Sequence, residues 1–384
     1  MQINFFDDDQ TEHLFPLTLT RPTADLRCGI HTLAEKWCAI LKPSAWGYET
    51  REYLNTKYKS TENADIRING RLLPGEALTQ AILALQSGQQ LIADGIVLAE
   101  KPGSPCETII FEQTCNMLKR PYDLFLKAGE EIERDMAIIT SGRQSQNIHA
   151  SVQIIGAHPV FMEEGAKAHA CTINASNGPV YIGKNAEVME GCMVRGPLSM
   201  GEGSVLKMGA KVYGPTTLGP YCVVGGEVNN ISMQGYSNKG HDGFLGNAVL
   251  GEWCNIGADS NCSNLKNNYE DVKVWNYASG KFDKSGQQFC GLIMGDHSKC
   301  GINTMFNTGT VVGVSANIFG SGFPRQFVPD FAWGGASGFI TYKLDAAFKT
   351  ASLVMPRRKM EFTEADKAIL EAVFERTSAW RNWD

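Results

Sequence analysis

No stretch of the 384 residues approaches the roughly 20 consecutive apolar residues that a membrane helix needs, and no membrane partner is expected. The opening Met1-Gln2-Ile3-Asn4-Phe5-Phe6-Asp7-Asp8-Asp9-Gln10 has no basic segment followed by an apolar core, so no signal peptide is visible. Cysteine pairing is missing too. The 11 cysteines are scattered without a C-x-x-C spacing, and they read as reduced thiols of a cytoplasmic protein. With a net charge of −6 and no Lys/Arg run to set against it, the chain gives no reason to expect a nucleic-acid-binding surface. Phosphorylated ligands stay open, because local clusters matter more than the total. Glycine is absent after residue 340, whereas 31 of the 40 glycines lie between residues 151 and 340. That skew gives the middle of the chain a different architecture from either end.

What is there is a repeat. Steps of six from Ile182 land on Val188, Val194, Met200, Leu206, Val212, Leu218 and Val224, an apolar residue every time. Two positions before them stand mostly small residues: Ala186, Cys192, Ser204, Ala210, Thr216 and Cys222. The frame returns at Phe244, Leu250, Ile256 and Cys262, and again at Met294, Cys300, Phe306, Val312 and Ile318; upstream, Ile148, Ile154 and Val160 keep the step less cleanly. Neither the helical period of 3.6 nor the strand period of two explains this. A triangular coil does, with three short strands and about 18 residues per turn. The apolar residue points into a narrow prism and the small one fits the corner beside it. Successive coils pair as parallel strands about 4.8 Å apart, so roughly nine coils make a prism on the order of 40 Å long. Residues 226–243 leave the frame by two residues and are polar, and residues 263–289 form a longer loop extruded from the prism. Such insertions carry function in repeat proteins.

The expected organisation is an α/β domain over residues 1–145, the prism over 146–340 and a helical segment over 341–384. In the first, strands are expected at Ile3–Phe6 and Ile66–Ile68, a helix at 75–87 closed by Gly88, a hairpin around Asp94-Gly95 and a helix at 122–136. In the last, helices are expected at 343–354 and 363–377, capping the open end of the prism. Apolar Ile369, Leu370, Val373 and Phe374 form the buried stripe of the second.

Gly240-His241-Asp242-Gly243-Phe244-Leu245-Gly246, followed by Trp253-Cys254-Asn255-Ile256-Gly257-Ala258 and Ser263-Asn264, resembles segments of bacterial bifunctional uridylyltransferase/glucosamine-1-phosphate acetyltransferases. Their G-H-x-x-Y-L-G, N-I-G-A-G and C-N motifs stand at the same spacing. Leu206-Lys207-Met208-Gly209-Ala210 resembles the family's L-R-P-G-A. Phe15-Pro16-Leu17-Thr18, Asn69-Gly70-Arg71-Leu72-Leu73-Pro74 and Arg120-Pro121-Tyr122-Asp123-Leu124 resemble sugar-phosphate nucleotidyltransferases. The resemblance implies a shortened nucleotidyltransferase-like domain followed by a left-handed parallel β-helix; it, and not the period, supplies the hand. It also implies acetyl-CoA as acyl donor and an amino-sugar phosphate or nucleotide-sugar as acceptor. A single narrow prism has no deep cavity, so the substrate cleft must form between neighbours or under the 263–289 loop, and a homotrimer with prisms side by side is expected.

The chain departs from the family in named places. Where the nucleotidyltransferases carry a Gly-rich G-x-G-T-R loop, it reads Phe6-Asp7-Asp8-Asp9-Gln10-Thr11-Glu12, and the expected Mg²⁺-binding aspartate is Arg71. Nucleotidyl transfer is therefore expected to be weak or absent, with Mg²⁺ needed only if it is retained. The family's sugar-contacting tyrosine is Phe244, its E-V-K lysine is Asn229, and a serine near acetyl-CoA falls at Ile302.

Acyl transfer to an amine needs a base near neutral pH and donors for the oxyanion. His241 is the candidate base, with a structural loop histidine as the plain alternative. Asn255 is a candidate orienting or oxyanion residue, and Asn264 a sugar contact; both also suit β-helix corners with left-handed backbone angles. Lys207, Asn229 and Phe244 complete the candidate sugar site, and Ala258 and Gly320 mark the cofactor's path. Asp296-His297-Ser298-Lys299 forms a second polar knot, read either as a group that binds phosphate or pairs with His241 across a subunit boundary, or as turn residues Asp296 and Ser298 beside a solvated Lys299. His149, His158, His169, His241 and His297 show no pair one coil of about 18 residues apart, so no resident metal is expected. Two rival functions remain: a sugar-1-phosphate nucleotidyltransferase with an assembly β-helix, and a non-catalytic sugar-nucleotide-binding scaffold.

Overall fold

A computed structural model describes residues 1–104 and 106–383. They form two compact units, one from Met1–Leu14, Thr18–Leu26 and His31–Arg120, the other from Phe15–Leu17, Arg27–Ile30 and the chain from Pro121 onward. Among the described residues no helix is long and apolar enough to cross a membrane.

The first unit is an α/β sheet. Strands β1 (Gln2–Phe6), β2 (Ala45–Glu49), β3 (Ile66–Asn69), β4 (Gln89–Ala93), β5 (Ile96–Lys101) and β6 (Glu107–Ile110) lie in the order β2-β1-β3-β5-β4-β6. β1 pairs in parallel with β2 on one side and β3 on the other. Helix α1 (Leu33–Leu41) links β1 to β2 and starts at a capping box between Thr32 and Glu35. The hairpin around Asp94-Gly95 is present as expected, whereas helix α2 (Glu76–Ala84) stops short of Gly88 because Leu85 turns to extended angles (φ −55, ψ 137).

The second unit is a left-handed parallel β-helix with helices α3 (Asp123–Ile139), α4 (Leu344–Val354) and α5 (Glu364–Arg376). Its strands stack into three faces, and each coil runs from the first to the second to the third. On the second face nine rungs follow one another from Val160–Met162 to Phe327–Val328. The eight apolar residues from Ile182 to Val224 are all buried inside the prism, and so are the six small residues beside them. Ile154 does not fit this pattern. It is 41 % exposed, because its rung opens the stack and has a neighbour on one side only.

The polar stretch 226–243 is not an excursion. Glu227–Gly235 is a continuous strand whose Val228, Ile231 and Met233 are buried in the same core. The coil is shortened, so that Val212 pairs with Val228 and Val224 with Lys239, and the inward residue of the next rung is Leu245 rather than Phe244. Residues 263–289 do leave the prism. They form a hairpin, Lys273–Asn276 with Lys281–Lys284, and rejoin it where Cys290 N–H donates to the Asn264 carbonyl.

The edge between the second and third faces has a special backbone. Asn185, Tyr221, Tyr236, Trp253, His297, Ser315 and Phe331 stand there on successive coils, interrupted only by Gly203, and every one has φ between +52 and +63. A non-glycine residue in that region costs about 1–2 kcal/mol. Stacking offsets part of it: Tyr221 on Tyr236 at 5.7 Å, Tyr236 on Trp253 at 4.3 Å and Trp253 on His297 at 6.3 Å between ring centres. At the far end Phe339 and Trp383 stack against each other and close the core, with Arg325 over both rings. Helix α5 opens at a capping box between Thr363 and Asp366, and Ile369, Leu370 and Val373 are buried. Phe374 is only half-buried, edge-on to Phe331.

Beneath this end lies a buried acid. Asp330 accepts the Tyr277 hydroxyl at 2.9 Å and the Val314 N–H at 2.6 Å, and burial raises its pKa to about 6. The folded state holds this proton more tightly than the unfolded one, so the group's stabilisation falls as pH rises through that value. Asp330→Asn keeps an acceptor for the Val314 N–H and reverses the other bond, its Nδ2 donating to the Tyr277 hydroxyl oxygen. It should match or exceed the parent's stability at pH 7 and should lack the parent's decline between about pH 4 and 6, read from urea midpoints across pH.

Candidate functional site

The corner between the third and first faces carries four of the expected residues. Lys207 N–H donates to Val224, and Gly225 N–H to Lys239, which places Gly240-His241 two rungs above Lys207. Asp259 N–H donates to Asp242, stacking Ala258 over His241, and Gly320 follows farther along after the Gly301 rung pairs with Ile318. His241 itself is exposed, and among the described residues its imidazole has no hydrogen-bond partner. Its backbone is fixed tightly. Gly226 lies so close under this corner that a Cβ there would stand 2.7 Å from Asp242 Cα, and Gly243 (φ +108) would meet Ser260 O at 2.2 Å.

Lys239 holds the corner from inside. It occupies an inward rung position, is 1 % exposed, and donates from Nζ to the carbonyls of Gly225 at 2.8 Å and His241 at 2.9 Å. Burial pushes its pKa down to about 8. No reading of the sequence singled it out, because a lysine breaks the apolar frame that marks inward positions.

Phe244 starts the first-face strand that leads away from His241. Its ring lies over Gly246, where a Cβ would stand 2.5 Å from Phe244 Cζ and 2.6 Å from Asn264 Nδ2. Asn264 donates to Asn247 Oδ1 at 2.7 Å, and Asn229 pairs in register with Gly246. Asn229, Phe244 and Asn264 therefore gather on three successive rungs of the first face, with His241 at the start of the middle one. Neither Asn255 nor Asn264 has a positive φ; the neighbouring Asn230 and Asn247 do.

The remaining candidates stand elsewhere on the prism. Asn255 lies on the third face, in register with Asn238 and Lys299. Asp296 is 3 % exposed, and its Oδ1 accepts the Glu252 N–H at 2.8 Å. His297 stacks on Trp253. His149 and His169 stand with rings 4.9 Å apart, a pairing the repeat count missed because the first rungs are more widely spaced in sequence. Among the described residues no three metal-ligating side chains come together.

In the first unit a crevice of about 560 Å³ opens at the carboxyl end of β1, lined by residues 6–9, Thr11, Glu12, Glu49, Thr50, Arg51 and Arg67. In open α/β sheets ligands bind where the strand order reverses, and β1 is that point here. Asp7 and Asp8 are already engaged, whereas Asp9 and Glu12 are exposed and have no partner among the described residues. Asp7 accepts the Thr23 N–H at 2.9 Å and pairs with Arg51, while Asp8 pairs with Arg71, which is 2 % exposed, and accepts Asn69 Nδ2 at 2.8 Å. A Mg²⁺ ion drawing on Asp8 would have to displace a buried guanidinium. Arg71, standing in the place of the family's metal-binding aspartate, does not fit the ion.

Comparison with known proteins follows this division. Residues 3–144 match the family model described as sugar nucleotidyl transferase. Over 90 residues the chain is 32 % identical to a bifunctional sugar-1-phosphate nucleotidylyltransferase/acetyltransferase of Sulfurisphaera tokodaii, covering 23 % of this chain and 22 % of that protein. The chain thus spans about a fifth of that relative's length. An Arabidopsis UDP-N-acetylglucosamine acyltransferase structure aligns over 61 % of this chain and 94 % of its own, at 14 % identity and a TM-score of 0.27. The resemblance to hexapeptide-repeat sugar transferases with a nucleotidyltransferase-like front domain is borne out.

The buried Lys239 gives a measurable signature. Its ordinary pKa of 10.5 is depressed to about 8, so the unfolded state binds a proton that the folded state sheds between those values. Stability from this group therefore rises with pH from about 8 to about 10.5, by an amount of the order of a few kcal/mol. Lys239→Met should lack that rise in urea denaturation.

Proposed function

We propose that the protein is a sugar-phosphate transferase whose β-helix moves an acyl group from acyl-CoA, acetyl-CoA in the first instance, to the amine of an amino-sugar phosphate or nucleotide-sugar. The observation that carries this reading is the exposed His241, fixed through its own carbonyl by Lys239, at the head of the rung that holds Phe244, with Asn229 and Asn264 on the rungs either side. Acyl-CoA supplies the thioester. The chain's part is to hold the sugar against Phe244 and the two carboxamides and to take the amine's proton at the His241 imidazole as the new bond forms. Ala258 and Gly320 flank exposed Ile302 (69 %) and Phe319 (43 %), a narrow apolar strip suited to the thin arm of CoA.

A homotrimer is part of this proposal. Helix α3 packs along the second face and α4 beside the third, while the first face exposes Met193 (54 %), Tyr213 (43 %) and Ile155 (41 %). A neighbouring prism laid on that face would cover the His241 rung and exclude water from it. In the front unit, the Asp8–Arg71 pair supports a reading in which nucleotidyl transfer has been lost.

Two assays test this. His241→Ala should lower acyl transfer roughly 10²–10⁴-fold, the usual worth of general acid–base catalysis, with acyl-CoA affinity and stability little changed. A variant that kept near-normal transfer would sink the mechanism, and one that unfolded would favour a structural histidine. Separately, Mg²⁺-dependent pyrophosphate release from nucleoside triphosphates and a panel of sugar-1-phosphates should stay at background; robust release would restore the nucleotidyltransferase reading.

A further inference from the structure

Between the third face and the segment that ends α4 lies a cleft of about 510 Å³. Arg357 and Arg358, on the single turn Met355–Arg358 that follows α4, form one wall, and Lys299, Asn238 and Asn255 form the other, with Trp253 beside them. No carboxylate lines it. Among the described residues none of the three cations forms an ion pair. Arg358 donates to Asn238 Oδ1 at 3.1 Å and Lys299 donates from Nζ to the His297 carbonyl at 2.7 Å, which leaves each with further donors.

Three uncompensated cations in one cavity are unusual in a chain of net charge −6, where most buried arginines have carboxylate partners. Like charges held together in a partly dewatered cleft repel one another and destabilise the fold unless an anion joins them. Burial lowers the pKa of Lys299, a penalty that a bound anion would relieve. Guanidinium groups meet phosphate oxygens in a fork, and carboxamides supply neutral donors at the flanks. The volume lies within the range of small-ligand sites and exceeds what a single phosphate fills.

We propose that this cleft binds the diphosphate group of a nucleotide-type ligand, with Arg357, Arg358 and Lys299 as the charge partners and Asn238 and Asn255 as neutral donors. The site lies on the third face, away from the His241 corner, and does not depend on His241 acting as a base.

Calorimetric titration of the full-length protein at near-physiological salt tests it, with inorganic phosphate, pyrophosphate, a nucleoside diphosphate and CoA as probes. Pyrophosphate and at least one of the two larger ligands should bind saturably and at least about tenfold more tightly than phosphate. The nucleoside diphosphate and CoA share the diphosphate, so the one whose binding Arg357→Ala and Lys299→Met weaken more names its source, CoA held at the Ala258–Gly320 strip being insensitive to both. Arg357→Ala, on an exposed side chain, and Lys299→Met should each weaken binding by about tenfold or more, the usual worth of a charged hydrogen bond. Lys281→Ala, on the distant hairpin, should leave it unchanged. Circular dichroism checks that each variant is folded, and Arg357→Lys should recover part of the affinity if charge is what matters. Absence of saturable pyrophosphate binding at millimolar concentration would overturn the proposal. So would pyrophosphate binding that Arg357→Ala and Lys299→Met leave intact.

Discussion

A coil of about 18 residues must turn three corners, and the corner between the second and third faces does so by placing one residue per coil in the left-handed region. That requirement shapes much of the second unit. Glycine or asparagine meets it at low strain in the early coils, at Gly165, Asn185 and Gly203. From Tyr221 onward the same position holds tyrosine, tryptophan and histidine, whose Cβ atoms make the conformation unfavourable. Their rings stack on one another up the edge, so the strain is met by contacts that only a regular stack of coils provides. The aromatic column also fixes Trp253 beside the cationic cleft. One backbone rule thus connects the rise of the prism to a feature on its surface.

The shortened coil is the second consequence of regularity under pressure. Between Val212 and Leu245 the rungs come closer in sequence than the six-residue step allows, yet their strands remain in parallel register. The shortening brings Lys239 to an inward position, where the side chain cannot leave its amine unpaired. It reaches the carbonyls of Gly225 and His241, the corner that carries the candidate base. A hydrophobic residue there would fill the prism equally well but would leave that corner unsupported from within. The irregularity in the repeat and the placement of His241 are one structural fact.

How far the sequence was legible follows from these particulars. The eight inward residues from Ile182 to Val224 could be read because each is apolar, and each is buried. Lys239 was illegible because it is the polar exception, and with it went the frame, so that Phe244 was assigned the inward place that Leu245 takes. His241, Phe244, Asn229 and Asn264 could be read as a group because they follow motif spacing, and the short coil sets them on three adjacent rungs of one face. Asn255 follows the same motif but lies on another face. Of the cleft, only Lys299, in a knot read as a candidate phosphate-binding group, and Asn255 were legible. Its walls come from positions 236–255, 299 and 350–358, each of which alone reads as a corner, a strand or a helix end.

Charge is treated in opposite ways in the two units. In the front crevice the cations have acidic partners: Arg71 with Asp8, Arg51 with Asp7, and Arg67 with Glu49 and Glu100. An anion entering that crevice must break pairs already made and also meets the unpaired carboxylates of Asp9 and Glu12. In the β-helix cleft, Arg357, Arg358 and Lys299 have no acidic partner, so an anion entering it gains attraction without displacing one. A family match by sequence marks the front unit, but the cleft lined by unpaired cations lies in the other. If ligand binding follows uncompensated charge, as field focusing in clefts implies, the working surfaces of this chain lie on the prism. The front domain then keeps the fold of a nucleotidyltransferase while its loop residues serve to hold that fold together.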